Sequence, residues 1–234
     1  YGKAIVLLEA QVELLQLGLQ ARQLERHVRL WGEYMAGTAM LSSFCKGDER
    51  VKLLLRSPAV HELYVEAAAV GEVRDKAVLS SSTLKGLESS ADASSGSMQV
   101  SKVLYGASKP YETTIQATGI AEADFQTFYD VSEQVPTVVR ISSDMSGDRA
   151  PLCCGVTIQK MREAAPHGRV YELQDLRFDA HPLQASAVAT NEDLLAYLKA
   201  LIPNAGEHLE QSCRRTSFDV FDNNQPRRTR QGSA

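Results

Sequence analysis

Cysteine offers the widest range of chemistry in this sequence, because a thiolate can bind a metal, form a disulfide or act as a nucleophile. The 234 residues contain four cysteines: Cys45, Cys153, Cys154 and Cys213. No pair has the Cys-x-x-Cys spacing that is typical of structural zinc sites. Adjacent residues in a strand point to opposite faces, so Cys153 and Cys154 cannot easily bind one metal together. We interpret them as small residues that fill a sheet; the alternative is a redox-sensing thiol.

The other side chains that could do acid–base or metal chemistry form no recognisable site. The histidines are scattered: His27, His61, His167, His181 and His208. None has a second ligand at helical spacing, and His208 lies nearest to a cysteine in sequence, five positions before Cys213. Two carboxylate pairs are interpreted as surface charge: Glu62 with Glu66, and Asp144 with Asp148. Phosphate-binding glycine loops and nucleophile elbows are also absent from the sequence. We therefore predict no catalytic, cofactor-binding or metal-binding residues, and a protein that is not an enzyme and acts through its surface.

Charge and hydropathy argue against two classes of partner. The formal net charge is −4, so the strong basic field that is typical of nucleic-acid-binding domains is missing. A small basic cluster, Arg227, Arg228 and Arg230, lies in a polar tail that we interpret as solvated. No uncharged apolar run reaches the roughly 20 residues of a membrane-spanning helix. We expect neither nucleic acid nor a membrane as partner.

One helical segment, residues 24–45, must position the rest of the core. Its first half is charged, whereas residues 34–41 carry no charge on any face. A helix that is apolar all round is buried, and the small residues around Gly37 permit close backbone approach. We predict a central helix covered by a sheet on both sides, which ends with Gly47 in a left-handed cap.

Around this helix the sequence alternates between strand-like and helix-like patterns. Strands are predicted at residues 3–8, 51–56, 62–69, 72–79, 98–104, 111–117, 137–143, 152–161 and 218–221. Further helices are predicted at residues 11–20 and 121–134, from Thr190 or Asn191, and after Pro203, and the serine-rich residues 80–97 are predicted to form a loop. The fold class is α+β, with a sheet/helix/sheet core and a buried central helix, followed by a small helical linker region. We divide the chain into a core domain at residues 1–165, a mostly helical linker at 166–222 and a disordered or truncated tail at 223–234.

Several segments, taken in order, match one known family. They include the small-residue helix and Lys-Gly turn at residues 33–50, the strands at 53–69 and 71–74, the Lys-Pro-Tyr at 109–111 and the strand at 154–159. The best match is the aromatic pair Phe128-Tyr129 followed by Ser-Glu-Gln-Val-Pro-Thr at 132–137. This set resembles the 33-kDa heat-shock protein family, the redox-regulated holdase chaperones of the stress response. The resemblance covers residues 2–161, and more loosely extends to residue 222.

The resemblance implies an ATP-independent chaperone that binds unfolded or aggregation-prone client proteins and prevents their aggregation. It also implies a sheet/helix/sheet core, a helical linker and no catalytic residue. We expect a monomer or homodimer in a reducing compartment, the cytoplasm or alternatively a mitochondrion or other organelle. Two alternatives stay open: a cysteine-dependent enzyme with Cys153 or Cys154 as nucleophile, and a structural or adaptor domain on the same fold.

The sequence departs from the family pattern at its C-terminal end. The family's switch is a zinc module with Cys-x-Cys followed by Cys-x-x-Cys, whose metal release and disulfide formation expose client-binding surface. Residues 227–230 are Arg-Arg-Thr-Arg where its first cysteines are expected, so either the module is missing from this homologue or it has been removed. We expect zinc only in that module, no cofactor in this chain and little redox control. The candidate residues for any redox response are the four cysteines. Further departures are Cys153, Asp75 and the apparent insertion at 80–97.

Overall fold

The computed structural model describes residues 21–57, 60–69, 72–78, 96–145, 152–160, 173–188, 191–202 and 219–220. The helices within these ranges are α1 (Ala21–Ser42), α2 (Ala121–Phe128) and α3 (Asn191–Leu201). The strands are β1 (Arg50–Ser57), β2 (Val60–Ala68), β3 (Glu72–Val78), β4 (Gly96–Val103), β5 (Tyr111–Ala117), β6 (Thr137–Asp144), β7 (Leu152–Gln159) and β8 (Asp219–Val220). A π-helical turn, Tyr129–Glu133, directly continues α2, and two 3-10 turns lie at Leu173–Asp175 and Ala185–Ala187.

The strands form two sheets on opposite sides of α1. The larger sheet has the order β5-β4-β1-β2-β3-β8, and β6 and β7 form a separate antiparallel hairpin. The pairs in the larger sheet are antiparallel except β3 with β8. Helix α1 packs against β1 and β2 on one side and against β6 and β7 on the other. The α+β prediction of a buried helix between two sheets is therefore confirmed.

The uncharged half of α1 is buried because it faces protein in every direction. Tyr34 and Thr38 are completely inaccessible to solvent, and Leu41 is nearly so. Strand β1 contributes Val51, Leu53 and Leu55 to the same core through the alternation of its side chains. This continuous core positions the surfaces that face solvent.

Glycines allow the close approach of the layers that the sequence predicts. A Cβ atom at Gly37 would overlap the ring of Phe125 on α2. On the hairpin side, a Cβ at Gly32 would meet the thiol of Cys153, and one at Gly155 would meet the thioether of Met40. The small residue Gly37 is therefore required by a contact with α2.

A buried carboxylate joins α1 to α2 and to the turn before α2. Asp124 is fully buried and accepts a short hydrogen bond from the hydroxyl of Tyr34. Its other donors are the backbone N–H of Thr118 at 2.7 Å, the hydroxyl of Thr118 at 2.7 Å and the backbone N–H of Gly119 at 3.2 Å. Burial and the nearby Asp124 raise the pKa of Tyr34 well above its ordinary value, so the phenol stays a donor. This network fixes the distance and the angle between the two helices.

Two local predictions are wrong in detail. Helix α1 ends at Ser42, and Gly47 lies in the following turn instead of capping the helix; its φ is +55°, and Glu49 N–H donates to the Lys46 carbonyl at 3.0 Å. The hydroxyls of Ser42 and Ser43 bond back to the carbonyls one turn earlier, which ends the helix sooner than expected. The predicted loop 80–97 also ends earlier than expected, since β4 already begins at Gly96.

Other predictions lie partly or wholly outside the described residues. These are the strand at 3–8, the helices at 11–20 and after Pro203, and most of the loop at 80–97. The boundary proposed between residues 165 and 166 also lies there and stays a prediction.

Substitution of Gly37 by Ala tests the contact between α1 and α2. Helix propensity alone favours Ala over Gly by about 1 kcal/mol, whereas the overlap with the Phe125 ring predicts the opposite sign. We expect Gly37→Ala to lower the free energy of unfolding by about 1–2 kcal/mol, measured by thermal and urea unfolding.

Gly32→Ala is the matched control on the same helix, because the atom it meets belongs to a single thiol. Combining Gly32→Ala with Cys153→Ala should restore most of any stability that Gly32→Ala alone loses. A Gly37→Ala protein more stable than the parent would show that the helices are not in close contact at this point.

Candidate functional site

The two adjacent cysteines lie on opposite faces of β7, as predicted. Cys153 faces α1 at Gly32, and Cys154 lies on the other face, where its charge would influence Tyr197 of α3. Burial, followed by the charge of Glu33, raises the pKa of Cys153 to about 12, and burial raises that of Cys154 to about 11. Both thiols are therefore almost entirely protonated near neutral pH. A nucleophilic or redox-sensing cysteine requires the opposite shift.

The remaining cysteines add no reactive pair among the described residues. Cys45 is a free, half-buried thiol, and its pKa is also raised, first by burial and then by Glu49. Cys213 lies outside the described residues. Within the ranges that the structure covers, no three His, Cys, Asp or Glu side chains converge as metal ligands. The donor set there does not fit a zinc ion.

The histidines and carboxylates singled out in the sequence do not converge. His27 is buried on α1, whereas His61 and His181 are exposed at separate places. His167 and His208 lie outside the described residues, as does Asp148. Glu62 pairs with Arg56 at 3.0 Å, and Glu66 with Arg50 at 3.1 Å, on the sheet face that points away from α1. These carboxylates are components of partly solvated ion pairs.

A group of exposed apolar side chains lies at one end of the larger sheet. We call this group the apolar rim: Phe44, Leu104, Tyr105, Tyr111 and Val131, of which Tyr105 is 87% exposed. They come from the turn that follows α1, the β4–β5 turn, the first residue of β5 and the π-helical turn. These residues cannot be identified from the sequence alone, because the exposure of an isolated Leu or Tyr in a turn depends on the packing of distant segments.

Four polar contacts hold the segments of the rim together. The carboxylate of Glu49 accepts the backbone N–H groups of Lys46 at 2.8 Å and Tyr105 at 3.2 Å, and these bonds hold the pKa of Glu49 below its ordinary value. The ammonium of Lys102 pairs with Glu133 at 2.6 Å and lies 5.9 Å from the Phe128 ring centre. The hydroxyls of Thr113 and Ser132 are 3.1 Å apart. The rim therefore combines fixed backbone segments with exposed apolar side chains.

A second apolar surface, on the outer face of the β6–β7 hairpin, is covered. Val156 of β7 packs against Leu198 and Leu201 of α3. Partly buried side chains complete this cluster: Ile158, Phe178, Leu183, Leu194, Tyr197 and Ile202. The guanidinium of Arg140 stacks on Phe178 at 4.4 Å and also approaches Glu122 at 3.5 Å. Residues 173–188 and 191–202 thus shield an apolar face of the core.

No helix in the described ranges is long and apolar enough to cross a membrane.

The raised thiol pKa values predict slow alkylation. At pH 7.5 we expect Cys153 and Cys154 in the folded chain to react with iodoacetamide at least about 100-fold more slowly than an unperturbed cysteine. The rates should rise about tenfold per pH unit from 7 to 10, because the ionised fraction grows in that proportion below the pKa. Mass spectrometry of the alkylated peptides measures each site.

The same peptides labelled in guanidinium chloride provide the reference, since unfolding removes the burial. Rapid labelling of either cysteine in the folded chain would contradict the burial of these thiols and would support the enzyme alternative.

The family model described as Hsp33 protein matches residues 13–229 of this chain. The 33 kDa chaperonin of Syntrophotalea carbinolica is 30% identical over 141 residues, which make up 56% of this chain and 48% of that protein. The crystal structure of the 33 kDa chaperonin (heat shock protein 33 homologue) from Thermotoga maritima matches 56% of this chain and 47% of its own, with a TM-score of 0.44 and 19% identity. The chain spans about half the length of these two relatives. Because the family model covers most of its length, this chain belongs to the Hsp33 protein family.

Proposed function

We propose that this chain is an ATP-independent holdase chaperone that binds unfolded proteins and prevents their aggregation. The observation that carries the proposal is the apolar rim, an exposed group of large side chains in a family whose relatives are named chaperonins. Exposed apolar groups of this kind are typical of sites that bind other proteins. The segments that carry the rim are anchored, whereas the side chains themselves face solvent.

The apolar rim fits the requirements of a holdase better than those of a specific receptor. Burial of one large apolar side chain contributes about 1.5–3 kcal/mol, from which the ordering of the client must be subtracted. A few such contacts give weak, reversible binding that accepts many sequences. Such binding slows aggregation without fixing a client in one conformation.

We further propose that the covered face of the hairpin is a second, conditional client site. The cluster between Val156 and α3 is small, and Phe178 contributes through a cation–π contact with Arg140. Release of residues 173–202 would expose Val156, Ile158 and the apolar face of α3.

Compartment and assembly are part of the same proposal. Cys45, Cys153 and Cys154 are free thiols, which suits a reducing compartment such as the cytoplasm or, alternatively, an organelle interior. We propose that the clients are unfolded chains. We also propose that the protein is a monomer or a homodimer.

Light scattering of thermally unfolding malate dehydrogenase tests the function under reducing conditions. We expect suppression of aggregation at near-stoichiometric amounts of this chain. The double variant Phe44→Ser and Tyr105→Ser should weaken the apparent binding of the client about tenfold or more, because it removes two exposed apolar contacts.

The matched control is Val78→Ser with Leu152→Ser, two exposed apolar residues outside the rim. Suppression that is lost equally in both double variants would contradict a specific role of the rim. Absence of suppression, together with one stable stoichiometric partner in a pull-down, would favour an adaptor domain instead.

Peroxide treatment tests whether oxidation of the cysteines changes client binding. Because the thiols of Cys153 and Cys154 are protonated and point to opposite faces of β7, we expect peroxide to change client binding by less than about twofold. The same scattering assay, run after peroxide treatment and again after reduction, measures this. Activation of many-fold would show that one or more of the four cysteines senses redox conditions.

A further inference from the structure

The two edges of the larger sheet differ strongly in their protection against pairing with another chain. An edge strand presents unpaired N–H and C=O groups that can pair with another extended chain. Natural sheets block such pairing with charges, with inward-pointing charged side chains or with a covering segment. We treat β3 and β5 as the two edge strands, because β8 adds only two residues beyond β3.

Strand β3 carries all three kinds of protection. Its sequence includes Arg74, Asp75 and Lys76 in succession. Asp75 pairs with Val65, a fully buried core residue, and so belongs to the inner face of the sheet. Strand β8 covers the start of the edge by parallel pairing with Glu72 and Val73.

Apart from Glu112, whose side chain lies on the outer face, strand β5 carries none of these devices among the described residues. It has seven residues without Lys, Arg, Pro or Gly, and its inner face presents the uncharged residues Tyr111, Thr113, Ile115 and Ala117. Its pairing partner is β4, and in the part of the chain that the structure describes no strand pairs with its other side. Such a strand is a suitable template for an added strand.

The register makes the comparison between the two edges direct. One row of paired residues crosses the inner face of the sheet: Asp75, Val65, Leu53, Val100 and Thr113. The row has a charge at the β3 edge and a threonine at the β5 edge. Asp75 and Thr113 therefore occupy equivalent positions on opposite edges of the sheet.

Exposed apolar side chains lie close to β5. The bond between Thr113 and Ser132 places the π-helical turn beside β5, and Val131 in that turn is 56% exposed. Tyr111 begins the strand and is 54% exposed, and Ile120 follows shortly after its end. An added strand would therefore find both backbone partners and apolar contacts.

We propose that the outer edge of β5, residues 111–115, binds an extended segment of a client protein by strand addition. A row of unpaired backbone groups selects another extended backbone, whatever its side chains, which suits binding to many sequences. The proposal rests on the holdase function and assigns the backbone part of client binding to β5, next to the apolar rim.

Hydrogen–deuterium exchange tests the site with reduced, carboxymethylated α-lactalbumin, a permanently unfolded protein. In the free chain, the β5 amides that point away from β4 should exchange quickly. With the client bound we expect the peptide covering residues 111–117 to exchange about tenfold more slowly at these amides, with no change at β3.

The outcomes separate this inference from the proposed function. Suppressed aggregation without protection at β5 would overturn the strand-addition site and leave the holdase function intact. No suppression at all would overturn both. Protection of β5 that appears without client and rises with chain concentration would assign the edge to a second copy of this chain and overturn the client assignment.

Substitutions based on the row of paired residues supply a second test. Thr113→Asp places at the β5 edge the inward charge that β3 carries, and we expect it to abolish the protection by the client. Thr114→Asp is the matched control, because it adds the same charge to the opposite, exposed face of the strand, and it should retain the protection. Circular dichroism and thermal unfolding establish that both variants fold. Equal protection in both would overturn the proposal.

Discussion

The buried carboxylate of Asp124 is the interaction on which the rest of this structure depends. A charge removed from water is tolerated only when donors surround it, and here one side chain and one turn supply them: the phenol of Tyr34 and the groups of Thr118 and Gly119. Tyr34 belongs to α1, whereas Thr118 and Gly119 lie between β5 and α2. Displacement of any one of them would leave a buried charge short of a partner, so α1, α2 and the end of β5 are held in a single arrangement.

The position of α2 then determines what reaches the surface. With Asp124 fixed, Phe125 lies over Gly37 and Phe128 lies under the ammonium of Lys102. The chain continues into the π-helical turn, where Ser132 and Glu133 contact the β4–β5 hairpin near its turn. Val131 is left pointing outward. The buried network and the exposed rim are therefore two ends of one chain of contacts.

The sequence predicted the layers because the signals for them are local. Absence of charge over residues 34–41 indicated a helix covered on both sides, and alternation gave the strands to within a few residues. Glu122 and Asp124 both lie in the first turn of α2, where acidic side chains suit the positive end of a helix. The side chain of Asp124 turns inward, however, whereas Glu122 accepts the Ile141 N–H at 3.0 Å. Nothing local distinguishes two acidic residues in the first turn of a helix. Which of them is buried depends on Tyr34, 90 positions earlier.

The candidate surfaces were harder to predict for the same reason. The difference between the edges of the larger sheet requires the strand order, since β4 pairs with β1 and not with the strand before it in the chain. The parallel pairing of β8 with β3 likewise joins segments that are far apart in sequence. Residue patterns identified the family, whereas the placement of the exposed residues emerged only from the tertiary structure.

The central position of α1 has a consequence for the synthesis of the chain. The helix leaves the ribosome before the hairpin that covers its second side, which ends at Gln159, about 120 residues later. At translation rates of about 5–20 residues per second, its uncharged half waits on the order of 5–20 s for that cover. Contacts of such long sequence separation also form slowly in the completed chain. During this interval the nascent protein exposes the same kind of apolar surface that we propose it shields in others.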